Sequence, residues 1–426
     1  MEFAEVFADG GFDIVLANPP YVRQELIKHL KSVLQKVYPA VYAGTADLYC
    51  YFYARALQLL RSGGMLAFIS SNKWFRANYG VNLRKHLAAI CRIHSITDFG
   101  ELPVFPAATF PMIFIAQKGT RSARPTIFTQ VKSLEPPYPD VLALTRHEGI
   151  QLPPDAIKGA SWTLTDAASA DRLRQMEKVG VPLGKYIKDG IYRGVLTGFN
   201  TAFVIDAERR AQLIAEDSKS EEIIKPLAVG DDIRKWRIAK QNRWLIFTRR
   251  GINIETYPAI KAHLRQWKPE LTPKKISKET KGRKPGSYKW YEIQDDITYY
   301  AAFEQHKIVF PEIAKEPRFA FDRDGTFVNN KGFIIPSDDL YLLGVLNSAL
   351  AWGYAKSVCA VLGDENKGGR LMLQWVNFRR LPIPDASTAD RTAIAKLVKR
   401  CLNADGIGCE TWEKEIDERV AGLYGL

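Results

Sequence analysis

A short apolar run that ends at two consecutive prolines constrains the fold of this chain more than any other feature. The run covers residues 12–17, and Asn18-Pro19-Pro20-Tyr21 follows it directly. Because a proline nitrogen cannot donate to a neighbouring strand, the prolines are predicted to end a short buried strand and to form a stiff turn. This Asn-Pro-Pro-Tyr turn is predicted to lie at the carboxyl end of a sheet, where open α/β sheets bind their ligands.

The residues of the Asn-Pro-Pro-Tyr turn favour one chemistry, the transfer of a methyl group to a planar, conjugated NH2. Such a nitrogen is a poor nucleophile because its lone pair is delocalised. The side-chain oxygen of Asn18 and the carbonyl of Pro19 are acceptors that draw the NH2 toward a tetrahedral geometry, an effect worth roughly a few kcal/mol per group. Tyr21 is predicted to stack on the face of the target, as flipped bases are held. The alternative is an ordinary turn with an aromatic residue at its rim.

The sequence after the turn predicts an alternation of helices and strands. A helix is predicted to open at residues 45–47, and Ser62-Gly63-Gly64 is predicted to stop it. A strand over 65–70, a helix over about 80–89, a strand around 93–99 and a strand over 111–117 follow. This order is typical of one flank of a doubly wound α/β sheet.

Positive charge is concentrated in one stretch of the chain. Residues 225–290 hold 18 Lys and Arg against 5 Asp and Glu, so this stretch accounts for the net charge of +13. Clustered basic groups indicate binding to a phosphate backbone, and a solvated loop without a partner is the alternative. The candidate DNA-binding residues are Lys274, Lys275, Lys278, Lys281, Arg283 and Lys284. Trp236, Trp244 and Trp267 of the same stretch are predicted to fill the core rather than to stack on bases.

Cysteine spacing and hydropathy argue against several other classes of protein. The 5 cysteines form no Cys-x-x-Cys pair and have little zinc-like spacing with the 6 histidines, so reduced thiols and no metal site are predicted. No signal sequence is predicted from residues 1–11, and no apolar run approaches the roughly 18 residues needed to span a bilayer. These features favour a cytoplasmic protein with no membrane partner.

Several segments together resemble one known family. Residues 12–21, 46–49 and 63–69 are similar to the catalytic half of the gamma-type adenine-specific DNA methyltransferases, and most similar to the Type IIG and TaqI-like restriction–modification enzymes of bacteria and archaea. Residues 192–203, 225–233 and 381–384 resemble blocks of their target-recognition domain. The resemblance covers most of the chain. It implies base-flipping, S-adenosylmethionine-dependent methylation of adenine N6 in double-stranded DNA.

The resemblance also implies roles for individual residues. Asn18, Pro19 and Tyr21 would grip the flipped adenine, and Pro20 would complete the catalytic turn. Phe105 and Phe110 stand where the family places the far wall of the base pocket, although either ring could equally fill the core.

The segment before the turn departs from the family's pattern. The family's glycine-rich cofactor loop lies upstream of the turn, but only 17 residues precede Asn18 and Gly10-Gly11 reads as the lead-in to the strand. We therefore expect that the sequence begins in mid-domain, that the main cofactor-binding loop is missing upstream of Met1, and that the first strand presents an unpaired apolar edge.

Such a chain is expected to be inactive alone, and three alternatives to an active methyltransferase remain open. The first is a DNA-binding remnant without catalysis. The second is one subunit of a split enzyme whose N-terminal half is a separate chain. The third, more remote, is a protein glutamine methyltransferase, because those enzymes use the same turn on an amide NH2.

The predicted fold class is α/β, the C-terminal half of a doubly wound methyltransferase sheet followed by a mixed α+β target-recognition domain. The predicted boundaries are a partial catalytic domain over 1–120, a proline-rich linker over 121–160, a recognition domain over 161–385 and C-terminal helices over 386–426. Within the later part, a strand is predicted over 307–313 and helices over 340–354, 388–402 and 409–424.

Overall fold

The computed structural model describes residues 3–75, 77–100, 102–106, 110–119, 124–153, 155–239, 242–275, 280–362 and 370–426. The chain divides into two compact units, which are described separately. The first unit is Met1–Lys178 with Lys356–Met372, and the second is Val179–Ala355 with Leu373–Leu426.

The elements are numbered along the whole chain. The helices are α1 (Ala4–Ala8), α2 (Lys31–Val37), α3 (Tyr49–Leu59), α4 (Val81–Ile90), α5 (Val141–Glu148), α6 (Ala167–Val179), α7 (Leu183–Tyr186), α8 (Asn200–Phe203), α9 (Ala207–Glu216), α10 (Pro258–Arg265), α11 (Lys268–Leu271), α12 (Leu340–Leu346), α13 (Ala349–Val358), α14 (Trp375–Phe378), α15 (Thr388–Asn403) and α16 (Glu410–Tyr424). The strands are β1 (Phe12–Ala17), β2 (Leu60–Ser71), β3 (Cys91–Asp98), β4 (Pro111–Lys118), β5 (Ile127–Gln130), β6 (Ile150–Gln151), β7 (Ile157–Lys158), β8 (Ser161–Trp162), β9 (Gly180–Pro182), β10 (Tyr192–Arg193), β11 (Val204–Ile205), β12 (Ile224–Ala228), β13 (Trp244–Ile246), β14 (Lys307–Pro311), β15 (Ile313–Ala314), β16 (Ala320–Asp322), β17 (Phe327–Val328), β18 (Gly332–Pro336), β19 (Ala360–Leu362), β20 (Arg370–Met372) and β21 (Pro382–Pro384).

The first unit is built on a mixed sheet in the order β1-β2-β4-β3-β5-β6. β1 and β2 are parallel, whereas β4 runs antiparallel to both β2 and β3. β1, β2 and β3 therefore point the same way, and their carboxyl ends meet at one edge of the sheet. α3 covers one face, where Tyr53 is fully buried and its hydroxyl shares a 2.8 Å hydrogen bond with Ser70. This α/β fold confirms the predicted fold class.

β1 is the edge strand of this sheet. Its alternation leaves Ile14 64% exposed and Leu16 78% exposed, while Val15 and Ala17 pack against the core of the unit. The unpaired apolar edge expected from the sequence is therefore present among the described strands.

Gly63 and Gly64 lie within β2 and do not act as the predicted helix stop. α3 ends at Leu59, and β2 begins at the next residue. The register shifts between Phe12, which pairs with Leu60, and Ile14, which pairs with Met65. Gly63 adopts a φ of +79°, and a Cβ on Gly64 would lie 2.9 Å from a backbone oxygen of the facing strand. The two glycines therefore form a bulge within β2. Gly63 has a backbone conformation that other residues rarely adopt, and Gly64 has no space for a side chain.

The stretch 121–160 also differs from the linker that its prolines predict. β5 pairs in parallel with β3 and so extends the sheet. α5 follows, and the Asp140 side chain caps it by accepting from the backbone N–H groups of Leu142 and Ala143. The prolines of this stretch lie outside β5. They therefore do not prevent β5 from pairing with a neighbouring strand.

The second unit has two four-stranded sheets, β10-β18-β14-β16 and β11-β13-β12-β17, and a helical end in which α12 and α16 pack against α15. The strand predicted over 307–313 is β14, and the two closing helices are α15 and α16. The helix predicted over 340–354 is divided between α12 and α13. It breaks because the Asn347 side chain donates to the carbonyl of Phe319 at 2.9 Å and accepts from its N–H at 3.2 Å. No helix in the described part of the chain is both long enough and apolar enough to cross a membrane.

Candidate active site and DNA-binding surface

The Asn-Pro-Pro-Tyr turn lies at the carboxyl end of β1, as the two prolines predict. Asn18 is exposed, and Pro19 is buried. Two hydrogen bonds tie the following loop to the start of α3: the backbone N–H of Gln24 donates to the Asp47 carboxylate at 2.9 Å, and the N–H of Leu48 donates to the carbonyl of Val22 at 3.0 Å. The turn is therefore anchored on one side, while the Asn18 amide faces outward.

Tyr21 stands in a small aromatic cluster beside the turn. Its ring centroid is 6.0 Å from that of Phe105 and 6.3 Å from that of Tyr49. The Tyr21 hydroxyl oxygen is buried and has no hydrogen-bond partner among the described residues, and burial raises the pKa of this phenol. Buried polar groups are usually paired, so an orphaned hydroxyl marks a place where a ligand can supply the partner.

The structure places the two predicted wall residues at different points. Phe105 is half-buried and adjoins Tyr21. Phe110 is half-buried just before β4, and the Lys73 ammonium lies 4.7 Å from the centre of its ring. Contact of either ring with a base stays a prediction, and the geometry favours Phe105 because it is the one beside the turn.

Three further polar residues at this edge were missed by the sequence reasoning. Asn72 follows β2 and donates from its side chain to Asp98, the last residue of β3, at 2.8 Å. Asp98 also accepts from the N–H of Gly100 at 3.0 Å. Burial raises the pKa of Asp47, and the charge of Lys73 opposes this shift. For Asn72 the available signal was its place directly after an apolar strand, since parallel strands bring such residues to one edge.

The glycines nearest to β1 do not form a cofactor loop. A Cβ on Gly11 would lie 2.5 Å from the carbonyl oxygen of Leu59, so Gly11 permits close packing at the amino end of β1, opposite to Asn18. In the described part of the carboxyl edge, no run of glycines adjoins the strand. That the main cofactor-binding loop lies upstream of Met1 stays a prediction.

In the second unit, Arg283 lies inside rather than on the DNA-facing surface predicted for it. Its side chain is 4% exposed and donates to the carbonyls of Leu271 and Thr197 at 2.7 Å and of Trp290 at 3.0 Å. Burial lowers the pKa of this guanidinium to about 10. Arg283 joins three segments of backbone, because a buried guanidinium must find acceptors for its donors.

The neighbouring lysines have a different environment. Lys275, Lys281 and Lys284 are exposed and Lys274 is half-buried, whereas Lys278 lies outside the described residues. The tryptophans confirm the core interpretation: Trp236 is 2% exposed, and Trp244 and Trp267 pack against the hydrophobic core of the unit. The exposed lysines of this loop are therefore accessible to a phosphate backbone.

Comparisons with known proteins agree with both units. The Eco57I restriction-modification methylase family matches residues 1–105, and the TaqI-like C-terminal specificity domain matches residues 225–378. The chain is 26% identical to the Type II methyltransferase M.PaeR7I of Pseudomonas aeruginosa over 98% of its own length and 71% of the relative's. It is 27% identical to the Type II methyltransferase M.XhoI of Xanthomonas vasicola, over 88% of this chain and 68% of that one.

A solved structure shares the fold over nearly the whole chain. The Type IIL restriction–modification enzyme MmeI, determined in complex with DNA, superposes with a TM-score of 0.66 at 15% identity and covers 97% of this chain. The chain spans about half of that enzyme, 54% of its length. A methylase segment, a TaqI-like specificity domain and Type II methyltransferases among its relatives together support the Type IIG and TaqI-like family of restriction–modification methyltransferases for this chain.

Proposed function

We propose that this chain supplies the base-binding turn and the target-recognition domain of a site-specific DNA methyltransferase that modifies adenine at N6. The observation that carries the proposal is the Asn-Pro-Pro-Tyr turn at the carboxyl end of β1, with Asn18 exposed and Tyr21 beside Phe105. The exposed lysines of a TaqI-like specificity domain support DNA as the substrate.

In this proposal the turn holds the amino group of an adenine that has left the duplex. The Asn18 side-chain oxygen and the Pro19 carbonyl accept one hydrogen each from N6, which localises the lone pair and offsets the positive charge of the attacking nitrogen. Removing one such acceptor costs roughly 100- to 1000-fold in rate. Tyr21 and Phe105 offer ring faces to the base. Stacking on them offsets part of the free energy of unstacking, which is roughly a few kcal/mol.

S-adenosylmethionine is the methyl donor of the family and would supply the electrophilic methyl group. Because the family's glycine-rich loop is expected upstream of the turn, we propose that the donor is held by a further segment or a separate chain that docks against the open edge of β1. β1 is an edge strand, and its Ile14 and Leu16 side chains are exposed on one face. Both observations support this arrangement, because natural sheets avoid unpaired edges.

DNA binding without turnover is the second candidate function. It follows from the same proposal, because a chain whose donor is held elsewhere would alone retain recognition but transfer no methyl group. A protein glutamine methyltransferase is disfavoured, because such an enzyme has no use for a basic TaqI-like specificity domain.

The test begins by selecting duplexes that the chain retains from a random library. Enrichment of one adenine-containing sequence is expected. The chain is then incubated with that duplex and labelled S-adenosylmethionine, alone and with the N-terminal segment of a relative supplied in trans. Methyl-adenine formed only in the mixture supports the split arrangement, and its loss in Asn18→Ala with unchanged DNA retention supports the role of the turn. Turnover by Asn18→Ala at the parent rate would contradict it.

A further inference from the structure

A wide cleft in the first unit lies at the edge of the sheet opposite to the Asn-Pro-Pro-Tyr turn. Its volume is about 550 Å³, and it opens at the amino ends of β3 and β5, beside α4 and β7. β3 is 8 residues long, so at about 3.3 Å per residue the cleft is roughly 25 Å from the carboxyl edge. The cleft is therefore separate from the proposed adenine site.

The cleft is lined by four basic residues and, among its described lining, by no Asp or Glu. Lys85 comes from α4, Arg92 from β3, Arg124 from the segment before β5 and Lys158 from β7. Lys85, Arg124 and Lys158 are exposed. Arg92 is half-buried, and its Nε is buried with no hydrogen-bond partner among the described residues. The cleft thus presents at least one desolvated donor together with a concentrated positive charge.

The charges of the cleft also act on His94, which lies in β3. The pKa of His94 is lowered by burial and further by the charges of Arg92 and Arg124. A helix terminus does not explain the cluster. Cations stabilise a helix only within its last turn, but Lys85 lies before the last turn of α4, and Arg124 and Lys158 come from distant segments. A cleft lined by charges of one sign raises the local concentration of counter-ions, here of anions.

We propose that this cleft binds a phosphate-bearing ligand of nucleotide size. Guanidinium groups match the geometry of phosphate oxygens, and ammonium groups add point charges around them. The volume falls within the range of about 300–1000 Å³ that small-molecule sites occupy. The phosphates come either from a free nucleotide or from the backbone of a nucleic acid, and both sources use the same groups.

The experiment measures binding to the full chain by calorimetry, with ATP as one probe and a short duplex as the other. The double variant Lys85→Gln/Lys158→Gln removes two exposed charges without disturbing packing. Arg92→Gln is tested as a separate single variant. Lys396→Gln with Lys399→Gln on α15 is the matched control, since it removes the same charge from another exposed surface. Circular dichroism confirms that each variant is folded.

We expect ATP affinity to fall by at least about 10-fold in the Lys85/Lys158 variant and to stay at the parent value in the control. Loss of duplex binding alone, with no ATP binding by the parent, would assign the phosphates to a nucleic acid backbone and still support the site. Absence of binding of both probes, or equal losses in the cleft and control variants, would overturn the proposal.

Discussion

Single residues in this chain show how burial decides what a charged or polar group can do. Arg283 and Lys284 are neighbours in one basic loop, yet Arg283 is buried against backbone carbonyls and Lys284 is exposed. Composition treats the two alike, because it records charge and not direction. The DNA-facing role predicted for this loop therefore applies to its exposed lysines, whereas Arg283 serves the fold.

Replacing Arg283 should destabilise the second unit. In Arg283→Gln, the carbonyls of Leu271, Thr197 and Trp290 lose their charged donor, and we expect the free energy of unfolding to fall by about 3 kcal/mol. Lys284→Gln is the control and should change it by less than about 0.5 kcal/mol, because its side chain is exposed. Urea denaturation followed by tryptophan fluorescence measures both. Equal midpoints for the two variants would show that the buried network contributes nothing.

Two variants of Tyr21 distinguish the contribution of its ring from that of its hydroxyl group. Its hydroxyl has no partner among the described residues, so Tyr21→Phe should keep the parent stability or gain slightly. Tyr21→Ala removes the ring beside Phe105 and should weaken retention of an extruded base. Fluorescence of 2-aminopurine at the selected target position reports extrusion. A Tyr21→Ala chain that gives the parent signal would contradict the stacking role.

At the scale of elements, the apolar runs predicted most of the first sheet. β3, β4 and α4 lie within a few residues of their predicted bounds, because each is a continuous apolar or amphipathic run. The glycines of β2 were misread because a glycine after a helix serves equally as a helix stop or as the first residue of a bulge. Only the facing strand, with Phe12 against Leu60, distinguishes the two.

The break between α12 and α13 could not be predicted from the local sequence pattern for a similar reason. Residues 340–354 read as one apolar helix, and the cause of the break is a pair of hydrogen bonds from Asn347 to the backbone of Phe319, 28 residues away in sequence. The polar edge beside the turn was missed in the same way. Asn72 and Asp98 meet only because β2 and β3 run in the same direction.

Glycine substitutions test this account of the elements. Gly11 has a φ of +122°, and a Cβ there would lie 2.5 Å from a backbone oxygen, so Gly11→Ala should lower the free energy of unfolding by at least about 2 kcal/mol. Gly422 lies in α16 with open space around it, so Gly422→Ala should raise the free energy by about 0.5–1 kcal/mol. Thermal unfolding should shift in opposite directions for the two variants. A Gly11→Ala protein as stable as the parent would show that the packing of β1 on α3 is looser than described.

At the scale of the whole molecule, charge and chemistry lie in different parts of the sequence. The residues expected to hold the reacting base are in the first unit, and the basic stretch of 225–290 is in the second. Phosphate contacts fix position without reading sequence, whereas the turn is proposed to act on one base. Damage to the two parts should therefore give different measurable effects.

The salt dependence of DNA binding should distinguish damage to the basic stretch from damage to the Asn-Pro-Pro-Tyr turn. Each neutralised phosphate contributes about 0.9 to the slope of log K against log salt, so changing Lys275, Lys281 and Lys284 together to Gln should reduce that slope by up to roughly 3. Affinity should fall alike for target and unrelated duplexes, because backbone contacts carry no sequence information. Fluorescence anisotropy at several salt concentrations measures the slope for the parent, the triple variant and Asn18→Ala.

Asn18→Ala serves as the control in that experiment, since it removes no charge and should keep the parent slope. The Lys396→Gln/Lys399→Gln variant on α15 controls for net charge and should also keep it. If the triple lysine variant retains the parent affinity and slope, the loop is only solvated. In that case the phosphate backbone must be bound by basic residues other than these three, of which Arg234, Arg243 and Arg249 in the same stretch are the next to test.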